Sequence, residues 1–192
     1  MITFYILGYI FLAGFFAMEY SVRSKGKDTK GMDRKESDKG STIFVSMAIA
    51  TGIILVIYAP VGNYFGICAF YNIEVSIIGI ILAIFGFFIR FFALSTLGKF
   101  FTRTLREVEE HKLVTNGIYK RLRHPGYLAN ILLFIGMSLM MQNGLAIITI
   151  LILFISAYSY RIHVEEKMLI GIFGEEYLEY QKRSKKLLPF VY

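Results

Sequence analysis

The chain has 192 residues, of which 56% are hydrophobic and 18% charged, and a formal net charge of +7 at pH 7. Its length would suit one soluble domain, but several runs of about twenty residues with almost no charge are typical of membrane spans. The single cysteine, Cys68, excludes an internal disulfide and a cysteine-cluster metal site. We therefore expect an all-α integral membrane protein whose basic residues mark one side of the membrane rather than a nucleic-acid surface.

The apolar segments predict five transmembrane helices. They are residues 2–22, 41–58, 75–94 and the two halves of 127–159. The last run is divided because Asn143-Gly144 is a strong turn signal, which predicts a tight hairpin of two short spans. Residues 1–94 thus form a region of three spans. Residues 95–192 form a second region, with a polar segment, the hairpin and an amphipathic tail.

Local signals are expected to set both ends of the second span. Ser41 or Thr42 is expected to cap its N-terminus, since hydroxyl side chains accept hydrogen bonds from the first free amides of a helix. Pro60, Gly62 and Asn63 are expected to break the helix at its other end.

The basic residues predict the orientation of the chain. With the N-terminus outside, the cytoplasmic segments are the loop 23–40, the segment 95–123 and the tail 160–192. Together with Arg90, near the cytoplasmic end of its span, they hold all 21 Lys and Arg residues. This asymmetry follows the positive-inside rule. The helical C-terminal region is therefore expected at the cytoplasmic face.

The tail has two stretches with helical character. In 160–173, Arg161 and Glu165 are neighbours on one helix face. Gly174 interrupts the pattern, and a second helix is expected after it, with acidic residues in its first turn and basic residues at its end, as the helix dipole favours. By periodicity alone, this pattern also fits a helix that lies on the membrane surface without any chemistry.

Two groups of polar residues are candidates for chemistry. Arg161, Glu165 and Glu166 lie at or just beyond the predicted end of the fifth span, where ionisable groups are costly unless they are paired or hydrated. An ion pair that only anchors a helix end is the alternative. The heptad 121–127 lies at the start of the hairpin, where Pro125 also suits the first turn of a helix. The sequence has no dinucleotide-binding or Walker motif, and its three histidines lack metal-ligand spacing.

The order and spacing of these motifs resemble the isoprenylcysteine carboxyl methyltransferase family. The matching segments are His111 to Tyr119, Arg123 to Tyr127, Tyr160-Arg161, Glu165-Glu166, Phe173 to Tyr180 and Leu188 to Phe190. They cover about half of the chain, and the combination is specific although each motif alone is weak. A broader group, which includes phospholipid methyltransferases, has a similar pattern.

The resemblance implies that S-adenosylmethionine is the methyl donor and that the C-terminal half binds it. The implied cofactor-binding residues are Thr104, His111, Lys112, Leu113, Val114, Tyr119, His124, Pro125, Gly126 and Tyr127. Arg161 and Glu165 match the family's pair at the methyl acceptor, the α-carboxylate of an isoprenylated cysteine. No metal is implied. The lipid tail would enter from the bilayer and the cofactor from the cytoplasm, in the endoplasmic reticulum or a prokaryotic cell membrane.

The residue types suit this chemistry. A prenylcysteine α-carboxyl has a pKa of about 3.5 and is ionised at neutral pH, so the reaction needs orientation and exclusion of water rather than a general base. Arg161 would hold the carboxylate through paired hydrogen bonds. Glu165 would orient Arg161 or accept a hydrogen bond from the substrate amide. Tyr119 and Tyr127 would offer aromatic faces to the cationic sulfonium.

Two other functions remain open from the sequence alone. In N-methylation of a phospholipid amine, the acceptor must lose a proton, so Glu165 would act as a base and Arg161 would lie beside a cation. A non-enzymatic membrane scaffold would bind no cofactor. The physiological acceptor and the oligomeric state are not readable from the sequence.

Overall fold

A computed structural model describes residues 1–25, 40–97 and 113–187. The described residues form six α-helices and one short 3-10 helix. The α-helices are α1 (Ile2–Lys25), α2 (Ser41–Tyr64), α3 (Ile73–Leu97), α4 (Pro125–Met141), α5 (Gly144–Phe173) and α6 (Glu175–Arg183), and the 3-10 helix is Gly117–Lys120. Most of the basic loop 23–40 and the polar segment after α3 lie outside the described residues.

Four helices, α1, α2, α3 and α5, are long and apolar enough to cross a membrane. Helix α4 is apolar but has only 17 residues. At about 1.5 Å per residue it reaches about 25 Å, somewhat less than a hydrocarbon core of about 30 Å. Large apolar side chains such as Ile54, Phe85 and Ile152 are exposed on the outer faces, as lipid contact requires. The protein is therefore a multi-pass membrane protein, and the count of five spans stays a prediction.

Both predictions for the ends of α2 are wrong. The helix continues through Pro60 to Tyr64, which is tolerated in membrane helices when other groups satisfy the freed backbone. In its last turn, Asn63 donates to the carbonyl of Met141 at 2.7 Å, which ties this end of α2 to α4. At the other end, Gly40 occupies the N-cap position with a φ of 75°, and no side chain caps the helix.

The predicted hairpin between α4 and α5 is confirmed. Gln142 adopts a left-handed conformation with a φ of 54°, which reverses the chain after Met141. The Asn143 side chain then accepts a hydrogen bond from the amide of Ala146 at 3.0 Å and caps α5. An asparagine at this position satisfies a helix amide that would otherwise be buried without a partner.

The fifth span and the first tail helix are one continuous helix, contrary to the prediction that the span ends near residue 159. Helix α5 has 30 residues, which is about 45 Å of helix. The chain has no proline between Gly144 and Phe173, so nothing local stops the helix until Gly174, which has a φ of 53°. The predicted break at Gly174 is confirmed. Arg161 and Glu165 consequently lie on a rigid element that starts in the hairpin.

Helices α3 and α4 pack with their backbones in contact. A Cβ atom built at Gly136 would lie 2.6 Å from the carbonyl oxygen of Gly79, and one at Gly86 would lie 2.7 Å from the amide of Leu133. Only glycine fits such a close approach, which is common between membrane helices. The contact fixes the middle of α4 against α3.

Helix α6 folds back onto the segment before α4. The backbone amide of Arg123 donates to the carbonyl of Lys185 at 2.8 Å, and the amide of Lys185 donates to the carbonyl of Arg121 at 2.9 Å. The hydroxyl of Tyr180 donates to the carbonyl of Tyr119 at 2.5 Å. The aromatic face of α6 therefore packs on the protein itself rather than on a membrane surface.

Candidate active site

A cavity of about 630 Å³ lies at the end of the bundle where α4 begins, and all six helices contribute to its wall. Eight residues predicted from the sequence line it: Leu113, Val114, Tyr119, His124, Gly126, Tyr127, Arg161 and Glu165. Pro125 is buried as the first residue of α4 and is not among the lining residues. The predictions for Thr104, His111 and Lys112 lie outside the described residues.

Arg161 is buried in the wall of this cavity, with 4% of its surface exposed. Its Nη1 donates to the hydroxyls of Ser41 at 2.9 Å and Thr42 at 2.7 Å, both in the first turn of α2. Its Nε donates to the hydroxyl of Tyr127 at 3.2 Å, and that hydroxyl donates to the carboxylate of Glu165. The Tyr127 hydroxyl thus links the two residues that the sequence predicts at the methyl acceptor.

Three stacked rings form another part of the wall. The His124 and Tyr127 rings are nearly parallel, with centroids 5.5 Å apart and an interplanar angle of 7°. Tyr127 also stacks on Tyr158, with centroids 5.1 Å apart. The hydroxyl of Tyr158 accepts a hydrogen bond from the amide of Asn130 at 2.6 Å. Together, the rings hold flat, electron-rich surfaces beside Arg161.

Glu166 lies beside the cavity and does not line it. Its carboxylate accepts a hydrogen bond from Arg123 Nε at 2.7 Å and lies 3.3 Å from Nε2 of His124. Nζ of Lys186 lies 3.7 Å from its other oxygen. Arg123 also donates to the carbonyl of Gln181 at 3.2 Å. Glu166 therefore joins α5 to the segment that carries His124 and to the end of α6.

A second ion pair, between the half-buried Glu19 of α1 and the buried Arg90 of α3, also lines the cavity. Arg90 Nη1 donates to the carbonyl of Gly126 at 3.2 Å, in the first turn of α4. Sequence reasoning used Arg90 only as an orientation signal and passed over Glu19. The available signal was two opposite charges inside apolar spans, which are costly there and are expected to pair.

Two buried polar atoms in the cavity wall have no hydrogen-bond partner among the described residues. They are Oδ1 of Asn130 and the hydroxyl of Tyr177. Burial holds the pKa of Tyr177 well above its ordinary value, so its hydroxyl stays protonated and acts as a donor. A buried polar group without a partner costs about 1–3 kcal/mol. Both atoms are therefore suited to bind a polar ligand, and sequence reasoning did not identify either of them.

The other side of the cavity is apolar. One face of α2 lines it with residues three or four positions apart, among them Val45, Ile49 and Ile53, and α1 adds Phe15 and Phe16. Apolar and polar groups thus occupy different parts of one cavity. These features define the protein as a multi-pass membrane protein with a cavity suited to an amphipathic ligand, next to a buried arginine and a half-buried glutamate.

Comparison with known proteins shows which family the chain resembles. Residues 78–171 match the model of the isoprenylcysteine carboxyl methyltransferase (ICMT) family. The matched range runs from α3 to α5 and includes Arg90, His124 and Arg161. It does not include α1, α2 or α6, which complete the cavity. The resemblance predicted from the sequence motifs is confirmed.

Curated relatives and a solved structure agree with the family match. A probable protein-S-isoprenylcysteine O-methyltransferase of Oryza sativa subsp. indica is 36% identical over 119 residues, 61% of this chain and 62% of the relative. The protein-S-isoprenylcysteine O-methyltransferase of Homo sapiens is 35% identical over 118 residues, 60% of this chain and 42% of the relative. The chain thus spans less than two thirds of the length of these relatives.

The solved structure is that of a eukaryotic intramembrane Ras methyltransferase, an isoprenylcysteine carboxyl methyltransferase. It superposes with a TM-score of 0.62 and 27% sequence identity, over 77% of this chain and 52% of that chain. The likeness extends beyond the residues that match the family model, so the two proteins share the arrangement of most of the helices described above.

Proposed function

We propose that this protein transfers a methyl group from S-adenosylmethionine to the α-carboxylate of an isoprenylated cysteine. The observation that carries the proposal is the position of Arg161, a buried cation in a cavity that has polar groups on one side and apolar groups on the other. An acceptor with a carboxylate at the end of a lipid chain matches both sides. The relatives and the solved structure named above support the same activity.

The residues present fit S-adenosylmethionine. This cofactor supplies an electrophilic methyl group on a cationic sulfonium. The rings of Tyr127 and His124 and the carboxylate of Glu165 complement a cation, while Tyr177 and Asn130 supply a donor and an acceptor that lack protein partners among the described residues. A volume of about 630 Å³ lies within the range of small-molecule sites, about 300–1,000 Å³.

The proposed cofactor-binding residues therefore remain those of the sequence prediction. Leu113, Val114, Tyr119, His124, Gly126 and Tyr127 are expected to contact the cofactor directly, and they line the cavity. Thr104, His111 and Lys112 are proposed from the resemblance alone. Pro125 is expected to act through the backbone, because it starts the helix that carries Gly126 and Tyr127.

The chain's own groups would prepare the acceptor without a general base. The acceptor carboxylate is already ionised, so Arg161 is needed to bind and orient it rather than to remove a proton. The Tyr127 hydroxyl accepts a hydrogen bond from Arg161 Nε at 3.2 Å and donates one to the carboxylate of Glu165. This hydroxyl therefore connects the guanidinium of Arg161 to the Glu165 carboxylate. Arg161 is buried and Glu165 is half-buried, which limits access of water and strengthens these interactions.

The apolar side of the cavity is proposed to hold the prenyl chain. Val45, Ile49 and Ile53 form a continuous face of α2 that lines the cavity, and Phe15 of α1 also lines it. The chain would enter from the bilayer, while the cofactor enters at the polar end. From the distribution of Lys and Arg, we expect this end at the cytoplasmic side, in the endoplasmic reticulum or a prokaryotic cell membrane.

The test is methyl transfer by the purified protein in lipid nanodiscs. Radiolabelled S-adenosylmethionine is offered with an N-acetylated farnesyl cysteine, with phosphatidylethanolamine, or without an acceptor. We expect label in a base-labile methyl ester of the farnesyl cysteine only. Label in the phospholipid amine alone would reject the proposal in favour of N-methylation. Calorimetry with S-adenosylhomocysteine that shows no binding would reject both enzymatic functions.

A further inference from the structure

We infer that Ser41 and Thr42 of α2 are positioning residues for methyl transfer, because they orient the guanidinium of Arg161 toward the acceptor carboxylate. The inference rests on the proposed function. It assigns a role in the reaction to the first turn of α2, which lies outside the residues that match the family model.

The contacts fix both the place and the plane of the guanidinium. Nη1 carries two hydrogens, and it donates to Ser41 Oγ at 2.9 Å and Thr42 Oγ1 at 2.7 Å. Nε donates to the Tyr127 hydroxyl at 3.2 Å on the other side. Rotation of the planar group would break hydrogen bonds to α2 and to α4 together. A guanidinium that orients a carboxylate by hydrogen bonds requires its plane to be fixed.

The two hydroxyls do not serve the role that their position predicts. Serine and threonine at the start of a helix ordinarily accept hydrogen bonds from the helix amides. Here Gly40 is the N-cap and no side chain caps α2, while Ser41 is fully buried against another helix. Both hydroxyls are turned toward Arg161, which lies 120 and 119 residues further along the chain.

The same helix also lines the apolar side of the cavity. Thr42 and Val45, Ile49 and Ile53 lie on one face of α2. Helix α2 therefore holds the cation that would bind the carboxylate and forms the wall against which the prenyl chain would lie. Because both parts of the acceptor site depend on one helix, a shift of α2 would move them together, and their spacing along α2 would stay the same.

The experiment removes the hydroxyls while keeping the shape of the side chains. In Ser41→Ala/Thr42→Val, we expect kcat/KM for an N-acetylated farnesyl cysteine to fall about tenfold to a hundredfold, the range for a small misplacement of a substrate-binding group. Binding of S-adenosylhomocysteine, measured by calorimetry, and the melting temperature should stay close to those of the unaltered protein. A merely structural role would change these two measurements as well.

Three controls make the result specific. Thr42→Ser keeps the hydroxyl and should retain near-normal turnover. Thr51→Val makes the same chemical change in α2 at a residue outside the cavity lining, and it should not alter kcat/KM. In an Arg161→Lys background, Ser41→Ala/Thr42→Val should cause little further loss, because the hydroxyls act through the guanidinium.

The possible outcomes separate the two hypotheses. Unchanged acceptor kinetics in Ser41→Ala/Thr42→Val, or an equal further loss in the Arg161→Lys background, would overturn the positioning role while the proposed function stands. If the double variant does not fold, Thr42→Val and Thr42→Ser are compared in its place with the same criteria. Absence of methyl transfer by the unaltered protein would reject the proposed function and the positioning role with it.

Discussion

The two ends of the helical bundle both bury polar side chains, but they use different chemistry. At the cavity end, the buried and half-buried groups are charged: Glu19 with Arg90, and Arg161 joined to Glu165 through Tyr127. At the hairpin end, about 25 Å away along the 17 residues of α4, they are neutral amides.

The hairpin end is a network of neutral side chains that satisfies helix termini, although Oε1 of Gln142 is buried without a hydrogen-bond partner among the described residues. Asn63 donates to the carbonyl of Met141 at 2.7 Å, and Asn143 donates to Asn63 at 2.8 Å while it caps α5. Gln142 donates to the hydroxyl of Ser76 at 2.6 Å. Neutral amides pair with backbone groups without the cost of burying a charge. These contacts therefore serve the fold.

The polar groups at the cavity end reduce the stability of the protein, and the fold alone does not require them. Burying charges is expensive even when they are paired, and two polar atoms in the wall, on Asn130 and Tyr177, have no partner among the described residues. The two ends therefore differ in charge, which indicates that the neutral groups at the hairpin end serve stability and the charged groups at the cavity end serve a ligand. The predictions below test this distinction.

The largest expected effect is on stability, at the Glu19–Arg90 pair. Arg90→Met leaves the Glu19 carboxylate in an apolar environment, and removal of one partner of a buried pair typically costs about 3–5 kcal/mol. Thermal unfolding in detergent should show a large loss. The double variant Glu19→Met/Arg90→Met should recover much of it. An Arg90→Met protein as stable as the unaltered one would show that the pair is not buried in the membrane-embedded protein.

Arg161→Ala should abolish most activity at a smaller cost in stability. Loss of one positioned electrostatic partner typically lowers turnover by about 10²–10³-fold. The measurement is kcat for methyl transfer to the farnesyl cysteine at saturating cofactor. Arg121→Ala removes the same charge at an exposed position and should leave kcat unchanged. Equal activity of the two variants would show that Arg161 is not at the acceptor.

Asn63→Ala should lower stability without lowering activity. It removes the hydrogen bonds to Met141 and Asn143 and leaves buried groups without partners, which costs about 1–3 kcal/mol. At temperatures well below unfolding, kcat/KM should be unchanged, because the hairpin end lies far from the cavity. A fall in kcat/KM as large as that of Arg161→Ala would contradict the distinction between the two ends.

The smallest effects are expected at two neighbouring tyrosines of α6. Tyr177→Phe should leave stability nearly unchanged but weaken binding of S-adenosylhomocysteine about two- to twelvefold, which corresponds to one hydrogen bond of about 0.5–1.5 kcal/mol. Tyr180→Phe should lower stability but leave the binding of S-adenosylhomocysteine nearly unchanged, because the Tyr180 hydroxyl donates to the carbonyl of Tyr119 within the protein. Calorimetry measures the binding of S-adenosylhomocysteine to both variants, and thermal unfolding measures their stability. If the two variants change binding and stability equally, Tyr177 does not have the proposed role.

Much of the helical order was predictable because it depends on short-range signals. The uninterrupted apolar runs predict long helices, and Asn143 and Gly174 mark the two turns because their conformations are determined locally. The start of α4 at Pro125 follows from the fixed φ of proline. Of the candidate site, the motif residues from Leu113 to Tyr127 and the pair on α5 were recognisable by their order and spacing.

The other features of the fold and of the candidate site depend on tertiary contacts. Helix α2 continues past Pro60 because Asn63 finds its partners on α4, 78 residues further along the chain. Ser41 and Thr42 bind Arg161 instead of capping their own helix, and Glu19 meets Arg90 across 71 residues. Local periodicity contains no information on which buried polar groups will meet, since that depends on how the helices pack. The sequence by itself therefore determined most of the helices and identified the proposed acceptor pair on α5, whereas only the packed structure decided which residues of α1, α2 and α6 complete the candidate site around them.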